Sequence, residues 1–176
     1  MEHRLERLVV FASDYRWSEV LDAIKDLKNV DCSDLSELMI RLAYFGTSSW
    51  IRPLIALGAD PRYRDETGDT ALGSCLAGSN YRHPTIGTVR SLLEAGADPN
   101  EITRGGNRIL QLAIAENRPE IATILLLHGA DPSLPSPDPD RPNAFDSAAS
   151  FGISRSWALP LLERWDREAR NSSIPK

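Results

Sequence analysis

The sequence predicts an all-α solenoid: short antiparallel helix pairs, stacked in chain order and joined by β-turn fingers. Three observations carry that prediction. The four residues Gly-Ala-Asp-Pro occur at 58–61, 96–99 and 129–132, so the interval is 38 residues (58 to 96) and then 33 (96 to 129). Each occurrence follows a segment whose apolar residues recur three and four apart, as one buried helical face requires. Each of those segments is preceded by a second, shorter one. Repetition at such a period means one supersecondary unit used several times.

Taken in order, residues 1–30 carry "VVFASDYRWSEVLDAIKDL" and no clear finger, which suits a polar-faced starting cap. A second unit, about 31–61, ends on "WIRPLIAL". A third, about 62–99, holds "DETGDTALGSC" and ends on "TVRSLLEA", with about five extra residues near "GSNYRHP" that predict a longer loop between its helices. In the fourth, about 100–132, the first helix is "NRILQLAIAEN" over 107–117, with Ile109, Leu110, Ala113 and Ile114 on one face. Its second helix is "IATILLLH". The last unit, about 133–170, has "FDSAASFG" and then "SWALPLLERWDREAR", with no glycine stop. It echoes the second unit, "FGISRSWALPL" against "FGTSSWIRPL". Ser49 and Ser156 are read as N-caps, which puts Pro53 and Pro160 near the helix start, where a missing N–H costs less. Residues 171–176 read as a flexible tail.

The breaks follow from backbone chemistry. Each glycine ends its helix because the left-handed conformation costs glycine nothing there. Asp-Pro then turns the chain, and proline forbids helix continuation. Asn117 closes the first helix of the fourth unit and Gly46 that of the second, each twelve residues before its glycine (117 to 129, 46 to 58). Asparagine follows glycine in tolerance of positive φ.

These motifs resemble the ankyrin repeat: about 33 residues, a β-turn finger and two antiparallel helices. The resemblance covers most of the chain and implies one domain over 1–170 with five units, the terminal ones divergent. The family's T-P-L-H is nowhere complete. Thr70-Ala71-Leu72-Gly73 stands in its place in the third unit; the proline is otherwise Ile109 or Ala144, and the histidine Gln111 or Asp146. In the family that histidine helps tie neighbouring fingers together. One unit cannot bury its apolar face alone, so stacking does it. The resemblance therefore implies that the fingers and the inner face of the first helices hold a partner, with no cofactor and a monomeric chain in isolation.

Composition narrows the function. With 176 residues, 41% hydrophobic and 26% charged, the chain can bury a sizeable core. Its densest apolar run, "IATILLL", is far short of a membrane span. The charged N-terminus lacks a secretion signal, and two cysteines, Cys32 and Cys75, build no disulfide framework. A cytoplasmic location is expected. The net charge of −5 and the lack of a basic run speak against nucleic acid. Arginine outnumbers lysine 17 to 3, which suits an interface but also follows from genome composition.

No enzymatic constellation appears. His3 is terminal, His83 lies in the extra loop, and His128 precedes a glycine stop, where a cation suits the helix end. Cys75 reads as a small packing residue and Cys32 as a loop or cap neighbour. The glycine pair of "TRGGNR" (103–108) reads as a finger tip, since a phosphate loop would need a strand–loop–helix setting and a Gly-Lys-Ser/Thr ending. "SPDPDRP" (136–142) reads as a stiff finger; its carboxylates lack a calcium-loop pattern.

The candidate surface comprises Tyr63, Arg64, Glu66, Asp69, Arg104, Asn107, Arg108, Asp138, Asp140 and Arg141 from the fingers. Tyr15, Tyr44, Phe45, Glu116 and Phe151 add to it from the first helices. Phe45 and Phe151, and Tyr44 with them, could instead plug gaps between units. The expected function is a non-enzymatic protein-binding module, in the form of an inhibitor or immunity protein that blocks a cognate toxin or enzyme of basic character. Alternatives are a general adaptor, or an enzyme or ligand-binding protein that uses the His83 loop or the 136–142 finger.

Overall fold

How the helices end determines how they are arranged. The computed structural model describes residues 2–13, 16–27, 30–45, 48–77, 86–135 and 143–172. Its helices are α1 (Glu2–Ser13), α2 (Trp17–Lys25), α3 (Cys32–Ala43), α4 (Ile51–Leu57), α5 (Ala71–Ala77), α6 (Ile86–Glu94), α7 (Ile109–Ala115), α8 (Pro119–Leu127), α9 (Ala144–Ser150) and α10 (Ala158–Ser172). A 3-10 turn covers Gly152–Arg155.

Each letter of Gly-Ala-Asp-Pro has its own task. Gly58, Gly96 and Gly129 have φ of 106°, 104° and 94°, the left-handed region that glycine enters freely. Their N–H groups donate to the carbonyls of Ile55, Leu93 and Leu126, three residues back. The alanines that follow donate five residues back, to Leu54, Leu92 and Leu125. This pair of bonds satisfies helix-end carbonyls that would otherwise be orphaned. Ala59, Ala97 and Ala130 are buried as they do so. In the first and third copies the aspartate caps the turn: Asp60 Oδ1 accepts from Arg62 N–H and Asp131 Oδ1 from Ser133 N–H, both at 2.8 Å. Asn117 ends α7 by the same device, with φ of 57°. Its N–H donates to Ile114, and Arg118 N–H to Ala113.

The described residues form two compact lobes, Met1–Asp98 and Pro99–Lys176. In the first, the hairpins α1–α2, α3–α4 and α5–α6 stack in chain order, first helix on first helix and second on second. Leu38, Met39 and Leu42 of α3, Leu54 of α4, Leu72 of α5, and Val89 and Leu92 of α6 are fully or almost fully buried. In the second lobe α7 packs on α9 and α8 on α10. The face read from the sequence is the buried one: Ile109, Leu110, Ala113 and Ile114 all lie inside, joined by Ile121, Ala122, Leu125 and Leu126 of α8. Each large aliphatic side chain buried this way contributes about 1.5–3 kcal/mol.

Several expectations need correction. Ser49 and Ser156 do not cap: α4 and α10 start a residue later, and Trp50 and Trp157 supply the first helical carbonyls, to Leu54 N–H and Leu161 N–H. Burial outweighs capping here, since Trp50 is fully enclosed. Pro53 and Pro160 still fall in the first turn, where an N–H has no helical partner. Helix α7 begins at Ile109 rather than 107, because Arg108 pairs with Ile102 in an antiparallel bridge. Helix α10 continues to Ser172, two residues into the stretch read as a tail. Tyr15, Gly46, the loop around His83, the finger 136–142 with Asp138, Asp140 and Arg141, and residues 173–176 lie outside the described residues.

Gly96→Val is expected to lower stability by at least about 2 kcal/mol, since a side chain in the left-handed region costs roughly that and β-branching adds to it. Urea unfolding measures it. An unchanged midpoint would show that the chain does not depend on this stop.

Candidate functional site

Two fingers are described, one in each lobe, and they share one turn. In the first, Asp65 N–H donates to Asp69 O and Gly68 N–H to Asp65 O, with Gly68 at φ of 81°. Asp65 Oδ1 accepts three bonds, from Thr67 N–H, Thr67 Oγ1 and Asp69 N–H, at 2.8–2.9 Å. A carboxylate that closes its own turn in this way needs no outside support. In the second finger Thr103 N–H donates to Asn107 O and Gly106 N–H to Thr103 O, with Gly106 at φ of 76°. The glycine pair of "TRGGNR" therefore serves a turn. Below the fingers, Thr70 Oγ1 accepts from Gly73 N–H at the start of α5, and Gln111 Oε1 accepts from Arg108 N–H at the start of α7.

Neighbouring repeats are tied by side chains at one recurring place, four residues after the glycine (58 to 62, 96 to 100). Arg62 Nε–H donates to Gly96 O at 2.7 Å. Asn100 Nδ2–H donates to Gly129 O at 3.0 Å and its Oδ1 accepts from Asp131 N–H at 2.7 Å. These bonds join successive loops in a chain that lacks the finger-tying histidine. Sequence reasoning missed both residues, although their fixed offset from the glycine was a usable signal. Arg155 was missed too. It reaches back to α7, where its guanidinium donates to the carbonyls of Ile114 (3.2 Å) and Ala115 (2.9 Å). A cation at a helix C-terminus also suits the helix dipole.

The proposed surface residues differ in how far they are committed. Tyr44 is half exposed at the end of α3 and meets Phe45 edge to face at 5.8 Å. Phe45 and Phe151 are both half-buried, and the Arg155 guanidinium lies over the Phe151 ring at 5.2 Å. Tyr63 is half-buried in the first finger. Arg64 is exposed and donates to Gly68 O, and Asp69 sits in the turn. Asn107 is half-buried and accepts from Thr103 through its carbonyl. Arg108 is held internally: Nε–H donates to Pro135 O and a terminal N–H to Asn100 O. Glu66, Arg104 and Glu116 are exposed. Within the first lobe the structure brings Tyr63, Arg64, Glu66 and Asp69 together; within the second it groups Arg104, Asn107 and Arg108.

The reactive side chains are placed structurally. His128 donates from Nδ1–H to Ile124 O at 2.9 Å, in the tautomer that carries its proton there. Cys75 is buried, and burial pushes its thiol up to about 12. Cys32 is exposed at the start of α3. Among the described residues no three His, Cys, Asp or Glu side chains gather as a metal ion would need. No helix among them is long and apolar enough to cross a membrane.

Helix pairs of repeated build, linked by hydrogen-bonded turn fingers, define a repeat protein. Residues 38–136, more than half of the chain, match the family described as ankyrin repeats in 3 copies, and the chain belongs to that family. It is similar to cyclin-dependent kinase 4 inhibitor B of Rattus norvegicus, 48% identical over 52 residues, 30% of this chain and 39% of that protein. It is also similar to ankyrin repeat and SOCS box protein 16 of Mus musculus, 39% identical over 82 residues, 44% of this chain and 18% of that protein. E3 ubiquitin-protein ligase KEG of Arabidopsis thaliana is 28% identical over 153 residues, 84% of this chain and 9% of its own length. The chain thus matches well under two thirds of each relative's length.

Three measurements check these assignments. Arg108→Ala is expected to cost about 1–3 kcal/mol by releasing two carbonyls, whereas Arg104→Ala stays within about 0.5 kcal/mol, as exposed positions do. Equal losses in thermal unfolding would contradict the sorting. In the second, iodoacetamide at about pH 8 should label Cys32 and spare Cys75 until urea is added. The unfolded thiol releases its proton near 8.5 and the folded one only near 12. Cys75 therefore lends stability that is fully present below about pH 8.5 and is lost as pH climbs toward 12, so Cys75→Ala should flatten the alkaline fall in unfolding midpoint.

Proposed function

We propose that this chain is a non-enzymatic module that binds another protein through its fingers and the ends of its first helices, and blocks that protein as an inhibitor. In this reading residues 1–170 serve as one array of five units, acting as a monomer in the cytoplasm. The observation that carries it is the finger build. Two turns of one design are closed by their own hydrogen bonds and keep Glu66 and Arg104 exposed on them. A backbone fixed in advance loses little conformational freedom on binding, so contact energy goes into affinity. The inhibitor form is supported by the similarity to a protein named as a kinase inhibitor. An acidic chain, net charge −5, suits a basic partner such as a nuclease toxin.

A second reading, an adaptor that bridges two proteins, is favoured by the similarity to a protein that joins ankyrin repeats to a SOCS box. One experiment separates them. The immobilised chain is exposed to an extract of its source cells, and each retained protein is assayed with and without added chain. Loss of the retained protein's activity at one-to-one mixing is expected for an inhibitor. Full activity with a second protein held at the same time would instead establish bridging. Tyr63→Ala and Arg104→Ala are each expected to weaken the complex by about 1–3 kcal/mol while melting like the wild type. Unaltered affinity in both would remove the fingers from the interface.

A further inference from the structure

In the second lobe α9 and α10 pack on α7 and α8, and among the described residues no further helix pair packs on their other side. The side chains there differ in burial from their counterparts in covered pairs. Leu110 and Ile114, the second and sixth residues of α7, are buried. Phe145 and Ala149 hold those places in α9, and they are half-buried and exposed. The second helices show the same contrast. Leu54 of α4 and Leu125 of α8 each stand four residues before their glycine (54 to 58, 125 to 129) and are fully buried. Leu161 matches Leu54 in the echoed Ser-Trp-x-x-Pro-Leu, four residues after the tryptophan in both (50 to 54, 157 to 161), yet it is only half-buried. Four residues past Leu161, where the glycine would stand, α10 carries a half-buried Trp165 and runs on to Ser172.

We propose that this outer face, built on Phe145, Ala149, Leu161 and Trp165, packs against the same face of a second copy of the chain. A repeat whose outer side meets only water keeps that side polar, and this one does not. The face continues the packing already present in the lobe: its positions are those through which α7 and α8 receive a helix pair, and a second copy brings such a pair. The charges beside it fit the same occupant. Arg164 and Glu168 lie on the same side of α10 as Leu161 and Trp165, and Arg164 Nε–H donates to Glu168 Oε1 at 2.8 Å. Two such ion pairs set antiparallel place each arginine beside the other copy's glutamate. A two-fold contact requires this kind of self-complementarity, because both copies present one patch. The face is only two short helices wide, below the roughly 800 Å² per partner of a stable complex. Pairing is therefore weak and reversible, and a dilute chain stays single, as the binding role assumes. It does not depend on what the fingers hold.

Sedimentation velocity of the chain alone tests this. The weight-average mass is expected to climb from one chain, 19.5 kDa, toward two between about 5 and 500 µM, the span of weak transient contacts. Ala149→Glu changes an exposed residue, so it should melt like the wild type while weakening pairing at least about tenfold. Trp165→Ala should weaken it about as much. Leu127→Glu is the control: that side chain is 65% exposed on α8, outside the face, and its replacement should leave pairing unchanged. A wild type that keeps one chain's mass at every concentration would overturn the proposal and leave the face to a different protein. So would growth past two chains, which a two-fold contact forbids. Wild-type pairing in both Ala149→Glu and Trp165→Ala would overturn it too, as would an equal loss in Leu127→Glu, which would mark unspecific association. None of these outcomes alters the retention test of the binding role.

Discussion

A helix that stops on a residue of positive φ is the constraint on which the rest of this protein depends. Gly58, Gly96 and Gly129 turn the chain after α4, α6 and α8, and Asn117 does so after α7. The turn at Asn117 sets α8 antiparallel to α7, and the glycine stops release the chain from α4, α6 and α8 into the turn that opens the next repeat. The glycines do more than stop helices. The carbonyl of Gly96 receives Arg62, and that of Gly129 receives Asn100. One residue therefore ends a helix and anchors the loop of the preceding repeat.

Arginine has two employments here. Arg62, Arg64, Arg108 and Arg155 all donate to main-chain carbonyls, most of them far along the chain. The planar guanidinium spreads several donors over a fixed fork, and Arg108 and Arg155 each satisfy two carbonyls from different residues. A lysine ammonium has no such fork. The excess of arginine over lysine thus has a structural share, and it cannot be read wholly as a sign of an interface. In the two described fingers few charges are left without an internal partner among the described residues.

Much of the fold was legible because its signals are local. The glycine stops, the closure at Asn117 and the buried face of α7 each depend on residues within one or two helical turns. Less was legible where distant groups decide. Arg108 looked like a surface cation, but it reaches a carbonyl 27 residues away, and Arg155 reaches across 40 and 41. No window on the sequence displays those bonds. The serine caps failed for a related reason: the tryptophan beside each serine occupies the helix start, and burial of Trp50 is a property of the packed lobe. Of the surface residues, the turn context of Glu66 and Arg104 was visible in the chain, whereas their lack of partners among the described residues emerged only from the coordinates.

The ties between repeats share a further property. From Arg62 and from Asn100 a side-chain N–H reaches a glycine carbonyl oxygen, an atom that every residue supplies. The receiving repeat need not match the identity of the donor, and arginine and asparagine serve equally at the same place. A repeat copied or excised as a whole would find the same docking atom waiting in its new neighbour. Growth and shortening of such a chain then ask only for a side-chain donor at that one place, since the acceptor belongs to the main chain.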